Sequence, residues 1–188
     1  MEQLDVVRFA VETCDRLGLS YAIVGSYASS IYGEARFTQD VDVLIDLNED
    51  RVSEFCSQFP MDDWYVSEVA ALDAVRRGKM FNVLHTASAN KIDVMIPSDT
   101  EWGRQQLNRR VLSGLLPDYP VYTGHPEDII LSKLRYYQRG ESDKHLRDIA
   151  GMLKNSAEMI DIRSVTGWAE RLKVEQEWAT VLQRIQDD

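Results

Sequence analysis

Two aspartates, one at the mouth and one inside, mark an otherwise apolar strand. The stretch from Tyr21 to Asp46 reads YAIVGSYASSIYGEARFTQDVDVLID. Tyr21-Ala22-Ile23-Val24 is β-branched and aromatic enough to predict a buried strand. Gly25-Ser26 ends it, and Tyr27 to Tyr32 predicts a short helix closed by Gly33. Val41 to Ile45 predicts a second strand, with Asp40 at its mouth and Asp42 inside it. A period of two puts Asp40 and Asp42 on one face and Val41 and Val43 on the other. Neighbouring carboxylates repel, and a sheet buries such a pair only at high cost. A divalent cation between them removes that cost, and Mg²⁺ favours one or two protein carboxylates together with substrate phosphates. The Gly-Ser turn upstream suits a polyphosphate: a backbone without a Cβ, a hydroxyl, and free N–H groups at a helix start.

The rest of the chain alternates helices and strands up to Gly124 and is wholly helical after it. Leu4 to Leu17 predicts an amphipathic helix through Leu4, Val7, Val11, Cys14 and Leu17. Asn48-Glu49-Asp50 predicts the cap of a helix over Arg51–Phe59, stopped by Pro60. A strand at Trp64–Val66 and a helix from Ser67-Glu68 to Arg77 follow. Lys79–Thr86 and Lys91–Ile96 predict a hairpin-like pair that brings Asp93 into the sheet of Asp40 and Asp42. A helix is expected from Thr100 to about Leu112, then a strand at Tyr119–Tyr122. Pro126-Glu127-Asp128 reads as a helix start, with proline at its first position and acids at the positive end of the dipole. Further helices are expected over 142–153, 161–172 and 174–185. The domain reading is a core over 1–123 and a C-terminal helical region over 124–188 packed on it.

Composition narrows the classes. The chain has 188 residues, 44% apolar and 28% charged, as a soluble globular protein has. No run approaches the ~18 to 20 apolar residues of a membrane span, and the polar start Met1-Glu2-Gln3-Leu4-Asp5 does not read as a signal peptide. Cys14 and Cys56 lack metal-ligand spacing and read as reduced thiols of a cytoplasmic protein. The net charge of −10 weighs against a long nucleic acid as partner. His85 reads as structural. Thr38 reads as a turn residue, and Arg36 either meets a phosphate or pairs with one of the acids.

Gly25-Ser26, thirteen residues, then Asp40-Val41-Asp42 resembles the signature of the nucleotidyltransferase superfamily that includes DNA polymerase β. In that family a third carboxylate sits on a neighbouring strand, and Lys91-Ile92-Asp93-Val94-Met95-Ile96 is similar to that strand. The segment PEDIILSKLRYYQRGESDKHLRDIAGML resembles the helical half of minimal nucleotidyltransferases related to AbiEii-type toxins. Lys133 matches the family lysine and Asp148 the family aspartate. Gly151 stands where many relatives carry a second aspartate. For Lys133 the alternative is a solvated helix lysine, and for Asp148 an intrahelical pair with Lys144. The resemblance spans about Leu19 to Trp168.

It implies an α+β fold: a mixed-sheet nucleotidyltransferase core with a C-terminal helical bundle. It also implies transfer of a nucleoside monophosphate from an NTP to an acceptor hydroxyl, with release of pyrophosphate. Asp40, Asp42 and Asp93 are then the catalytic carboxylates, holding two Mg²⁺ ions about 3.5–4 Å apart. Gly25, Ser26, Lys133 and Asp148 are then nucleotide-binding residues. The NTP is the substrate. The acceptor is RNA or protein, with an antitoxin as partner, or a small cationic molecule such as an aminoglycoside, which an acidic surface favours. A nucleotide- or partner-binding module without catalysis is the third reading, and the intact carboxylates speak against it.

Overall fold

A computed structural model describes residues 2–35, 38–88, 90–140 and 142–187. Arg36 lies outside the described residues. The chain forms two compact units. One holds the described residues of 1–24 and 37–124, the other those of 25–36 and 125–188.

The first unit is a seven-stranded mixed sheet: β1 (Tyr21–Ile23), β2 (Asp40–Ile45), β3 (Trp64–Val66), β4 (Met80–His85), β5 (Lys91–Met95), β6 (Val111–Leu116) and β7 (Tyr119–Thr123). The order is β3-β4-β5-β2-β1-β7-β6. The pairs β2–β5 and β1–β7 are parallel and the others antiparallel. β2 is central, and its Val41, Val43 and Ile45 are buried while Asp40 and Asp42 are partly exposed. Each buried valine or isoleucine contributes ~1.5–3 kcal/mol, so this face sets the register that points the aspartates the other way.

Helix α1 (Gln3–Arg16) lies against β2 and β5. The Glu2 N–H donates to the Asp5 carboxylate at 2.9 Å and ties its first turn. Its Phe9 stacks on Trp64 of β3, with ring centroids 4.9 Å apart, and joins Phe55, Phe59 and Phe81 in an aromatic cluster. His85 belongs to that cluster, edge-on to Trp64 at 4.9 Å, with Nδ1 2.8 Å from the Ser88 hydroxyl. This is a packing role.

Two expectations are corrected. The expected helix over 51–59 is a 3₁₀ turn, Glu49–Arg51, followed by the short α3 (Val52–Cys56). Asn48 does cap it, accepting the Arg51 N–H at 3.2 Å. The helix expected to reach Leu112 ends earlier, as α5 (Glu101–Asn108), and Val111–Leu116 is strand β6. Pro117-Asp118 turns β6 into β7, with Leu116 opposite Tyr119, as a proline-aspartate pair between apolar runs favours. The register shifts by one residue between Ser113 and Leu116, a bulge that Gly114 makes easy. Helix α4 (Glu68–Arg77) completes the unit.

The second unit is helical: α2 (Gly25–Tyr32), α6 (Pro126–Gly140), α7 (Asp143–Asn155), α8 (Ile162–Leu172) and α9 (Glu175–Asp187). α6 runs through its middle, against each of the other four, with Ile129, Ile130, Leu131 and Leu134 fully buried. Glu127 is buried as well, and its carboxylate accepts from the Asp161 N–H (3.0 Å) and the Ser164 hydroxyl (2.9 Å). It thereby fastens the start of α8, where donors left over by the helix favour an anion.

Candidate active site

Alternation and register assemble the acidic face of the first unit. β2 and β5 run parallel with Asp40 opposite Lys91 and Asp42 opposite Asp93. Parallel partners share a face, so Asp40, Asp42, Lys91 and Asp93 all point to one side of the sheet. β4 adds Asn82 opposite Asp93.

Asp93 is buried, and both its carboxylate oxygens are engaged. The Asn82 amide donates to Oδ1, and the Lys91 ammonium lies 3.1 Å from Oδ2. Lys91 also reaches Asp40 Oδ2 at 3.5 Å. Burial pulls the pKa of Lys91 down, but the hydrogen bond and charge of Asp93, joined by those of Asp40, outweigh it and hold the pKa above the ordinary value. The face therefore already carries one cation.

Three carboxylates without a thiol or imidazole form a donor set for a hard, oxygen-seeking cation such as Mg²⁺. They fit it in type and in sharing one face. As they stand, Asp40 and Asp93 share an ammonium, and among the described residues no three His, Cys, Asp or Glu side chains converge to hold a metal ion.

The other expected residues belong to the second unit. Gly25 directly follows Val24, whose N–H donates to the Asp42 carbonyl at 2.9 Å. Gly25 has φ +62°, a left-handed conformation that glycine adopts without a steric penalty. α2 begins there, so Gly25 and Ser26 stand in its first turn. The Ser26 carbonyl accepts from the Ser29 and Ser30 hydroxyls at 3.1 and 2.9 Å.

Lys133 on α6 and Asp148 on α7 form an ion pair, Nζ to Oδ2 2.6 Å, with side chains 4% and 11% exposed. Lys133 is therefore not a solvated helix lysine. Asp148 reaches across to α6. Gly151, one turn beyond Asp148, is buried where α7 meets the end of α2. A Cβ at Gly33 would lie 3.0 Å from the Met152 nitrogen and 3.1 Å from the Gly151 carbonyl carbon. A Cβ at Gly151 would lie 3.4 Å from the Glu34 nitrogen. The tight packing here is thus at Gly33, and a Cβ at Gly151 meets only ordinary contacts.

Lys91 and Asn82 are the residues that sequence reasoning passed over. Lys91 was detectable, since two positions before Asp93 on a strand means the same face. Asn82 was not, because its partner depends on the β4–β5 register.

No family model matches the chain, and no curated protein sequence matches it. Solved structures do. The antibiotic-resistance factor ANT(2'')-Ia, in complex with adenylyl-2''-tobramycin, is 15% identical with a TM-score of 0.58, over 97% of this chain and 98% of that one. An antigenic nucleotidyltransferase-like protein from Paracoccidioides brasiliensis is 19% identical with a TM-score of 0.54, over 96% and 92%. The lincosamide antibiotic adenylyltransferase LnuA, with lincomycin bound, is 8% identical with a TM-score of 0.53, over 78% and 93%. Identities this low speak for architecture alone, and in architecture this chain, with its mixed sheet and its helices, has the nucleotidyltransferase fold.

Proposed function

We propose that the protein is a metal-dependent nucleotidyltransferase that moves a nucleoside monophosphate from an NTP to an acceptor hydroxyl. The observation that carries this reading is the register of Asp42 against Asp93 with Asp40 on the same face, in a chain with the nucleotidyltransferase fold. Phosphoryl transfer asks little covalent chemistry of a protein; it needs in-line placement and charge neutralisation. Asp40, Asp42 and Asp93 would hold Mg²⁺, which when bound would supply that neutralisation and ease ionisation of the attacking hydroxyl.

The chain's own residues do the rest. Asp93, held by Asn82, would favour loss of the acceptor hydroxyl's proton, which passes to solvent water. The acceptor oxygen bonds to the α-phosphorus, the bond from that phosphorus to the bridging oxygen breaks, and pyrophosphate leaves with the electron pair. Gly25 and Ser26 hold the β- and γ-phosphates on the first turn of α2. Lys133, oriented by Asp148, offsets triphosphate charge.

For the acceptor, the net charge of −10 supports a small cationic molecule of the aminoglycoside kind. The α6–α7 motif supports a relative of AbiEii-type toxins, acting on an RNA 3′ end or a protein hydroxyl and held in check by an antitoxin. The two buried free thiols, Cys14 and Cys56, suit a reducing cytoplasm. No described helix is long and apolar enough to cross a membrane.

The test is incubation with each labelled NTP and Mg²⁺, offering total RNA, total protein or a panel of aminoglycosides as acceptor. Label in one acceptor class, lost on adding a chelator, supports the reading and names the class. No transfer to any of them, with NTP still bound, leaves a nucleotide-binding module instead.

A further inference from the structure

We infer that Lys91 is a resident counter-cation of the carboxylate face, which a divalent metal must displace to gain Asp40 and Asp93. The inference rests on the metal-dependent reading above. Its observation is independent of it: one ammonium lies 3.5 Å from Asp40 Oδ2 and 3.1 Å from Asp93 Oδ2.

Without a cation on this face, Asp40, Asp42 and Asp93 would repel one another on two adjoining strands. Lys91 neutralises part of that charge while satisfying Asp93 from one side, as Asn82 does from the other. A lysine is suited to the task because its ammonium is a point charge on a flexible stem. The side chain is 29% exposed, so the head has water to move into while β5 stays in the sheet. Divalent ion and ammonium compete for the same oxygens, and the protein trades one for the other. Lys91 is in this sense a positioning residue, setting the metal concentration at which the face becomes loaded.

The test compares wild type with Lys91→Met, which keeps the apolar stem and removes the charge. Calorimetric titration with Mn²⁺ and with Mg²⁺, without nucleotide, reads affinity directly. The variant should bind about ten-fold more tightly or better, as expected for removal of a competing charged hydrogen bond. Should Lys91→Met not fold, acylation of lysines in the wild type gives the same answer by mass spectrometry. Lys91 should be protected in metal-free protein and become reactive at saturating Mg²⁺. Metal binding that is equal in the two proteins, or weaker in the variant, overturns the inference and leaves the metal site standing. Lys91 acylation indifferent to bound metal does the same. If neither protein binds either ion, Lys91 is not what holds the metal off and the inference is overturned, while the metal-dependent reading stands or falls on the loss of label transfer with a chelator.

Discussion

Lys133 of α6 and Asp148 of α7 make a buried ion pair, 2.6 Å from Nζ to Oδ2. The lysine thus has a partner inside the helical unit besides any role toward phosphate, and substitutions there act on stability as well as on ligand binding. Lys133→Ala leaves a carboxylate buried without this partner and should cost ~3–5 kcal/mol, read by urea unfolding. The double variant Lys133→Met with Asp148→Leu should recover much of that loss, since apolar replacement of a buried pair is often near neutral. If Lys133 also meets the triphosphate, the double variant regains stability without regaining NTP affinity. Full recovery of both would restrict Lys133 to packing.

Asp42→Asn should abolish nucleotidyl transfer with the fold intact. The substitution removes one charge from the Asp42–Asp93 neighbours, which eases repulsion in metal-free protein. Label transfer and a thermal melt of the same sample decide it. A collapsed melting temperature would mean that Asp42 is structural.

Two helical glycines should answer oppositely to alanine. A Cβ at Gly103 of α5 would fall 2.0 Å from the Ser98 carbonyl oxygen, whereas one at Gly167 of α8 meets nothing within 4 Å. Gly167→Ala should stabilise by ~0.4–1 kcal/mol through helix propensity and reduced unfolded-state freedom. Gly103→Ala should destabilise by ~1–3 kcal/mol, since overpacking against backbone exceeds the propensity gain. Parallel denaturant titrations measure both, and a stabilised Gly103→Ala would contradict the packing described.

The thiols make stability fall in alkali. Burial pushes Cys14 up to about 12, aided by the charge of Asp15, and Cys56 up to about 11, aided by Glu68. A pKa raised in the fold means that the native state disfavours the thiolate. The contribution is therefore complete below about pH 9, where the unfolded thiol titrates, and is lost as pH rises toward 11 and 12. At pH 8 a thiol-exchange reagent should label neither cysteine until denaturant is added. Rapid native labelling of Cys14 would show that α1 opens.

The parts of this protein legible from sequence are those governed by short-range periodicity. Asp40 and Asp42 share a face because strand side chains alternate, and α6 is a helix because its apolar residues recur at helical spacing. The chain after Gly124 is helical for the same reason. Val111–Leu116 escaped because Arg109 to Leu112 extends a helical pattern as readily as it opens a strand, and only pairing with β7 decides between them. What tertiary structure alone decided is which residues meet across distance in the chain. It set Asp93 beside Asp42, put the Lys91 ammonium between two carboxylates and Asn82 against a third oxygen, paired Lys133 with Asp148, and brought Gly33 against Gly151. Local propensity is a property of a few neighbouring residues. Register and helix contact depend on the burial of the whole hydrophobic core, which no short window of the sequence contains.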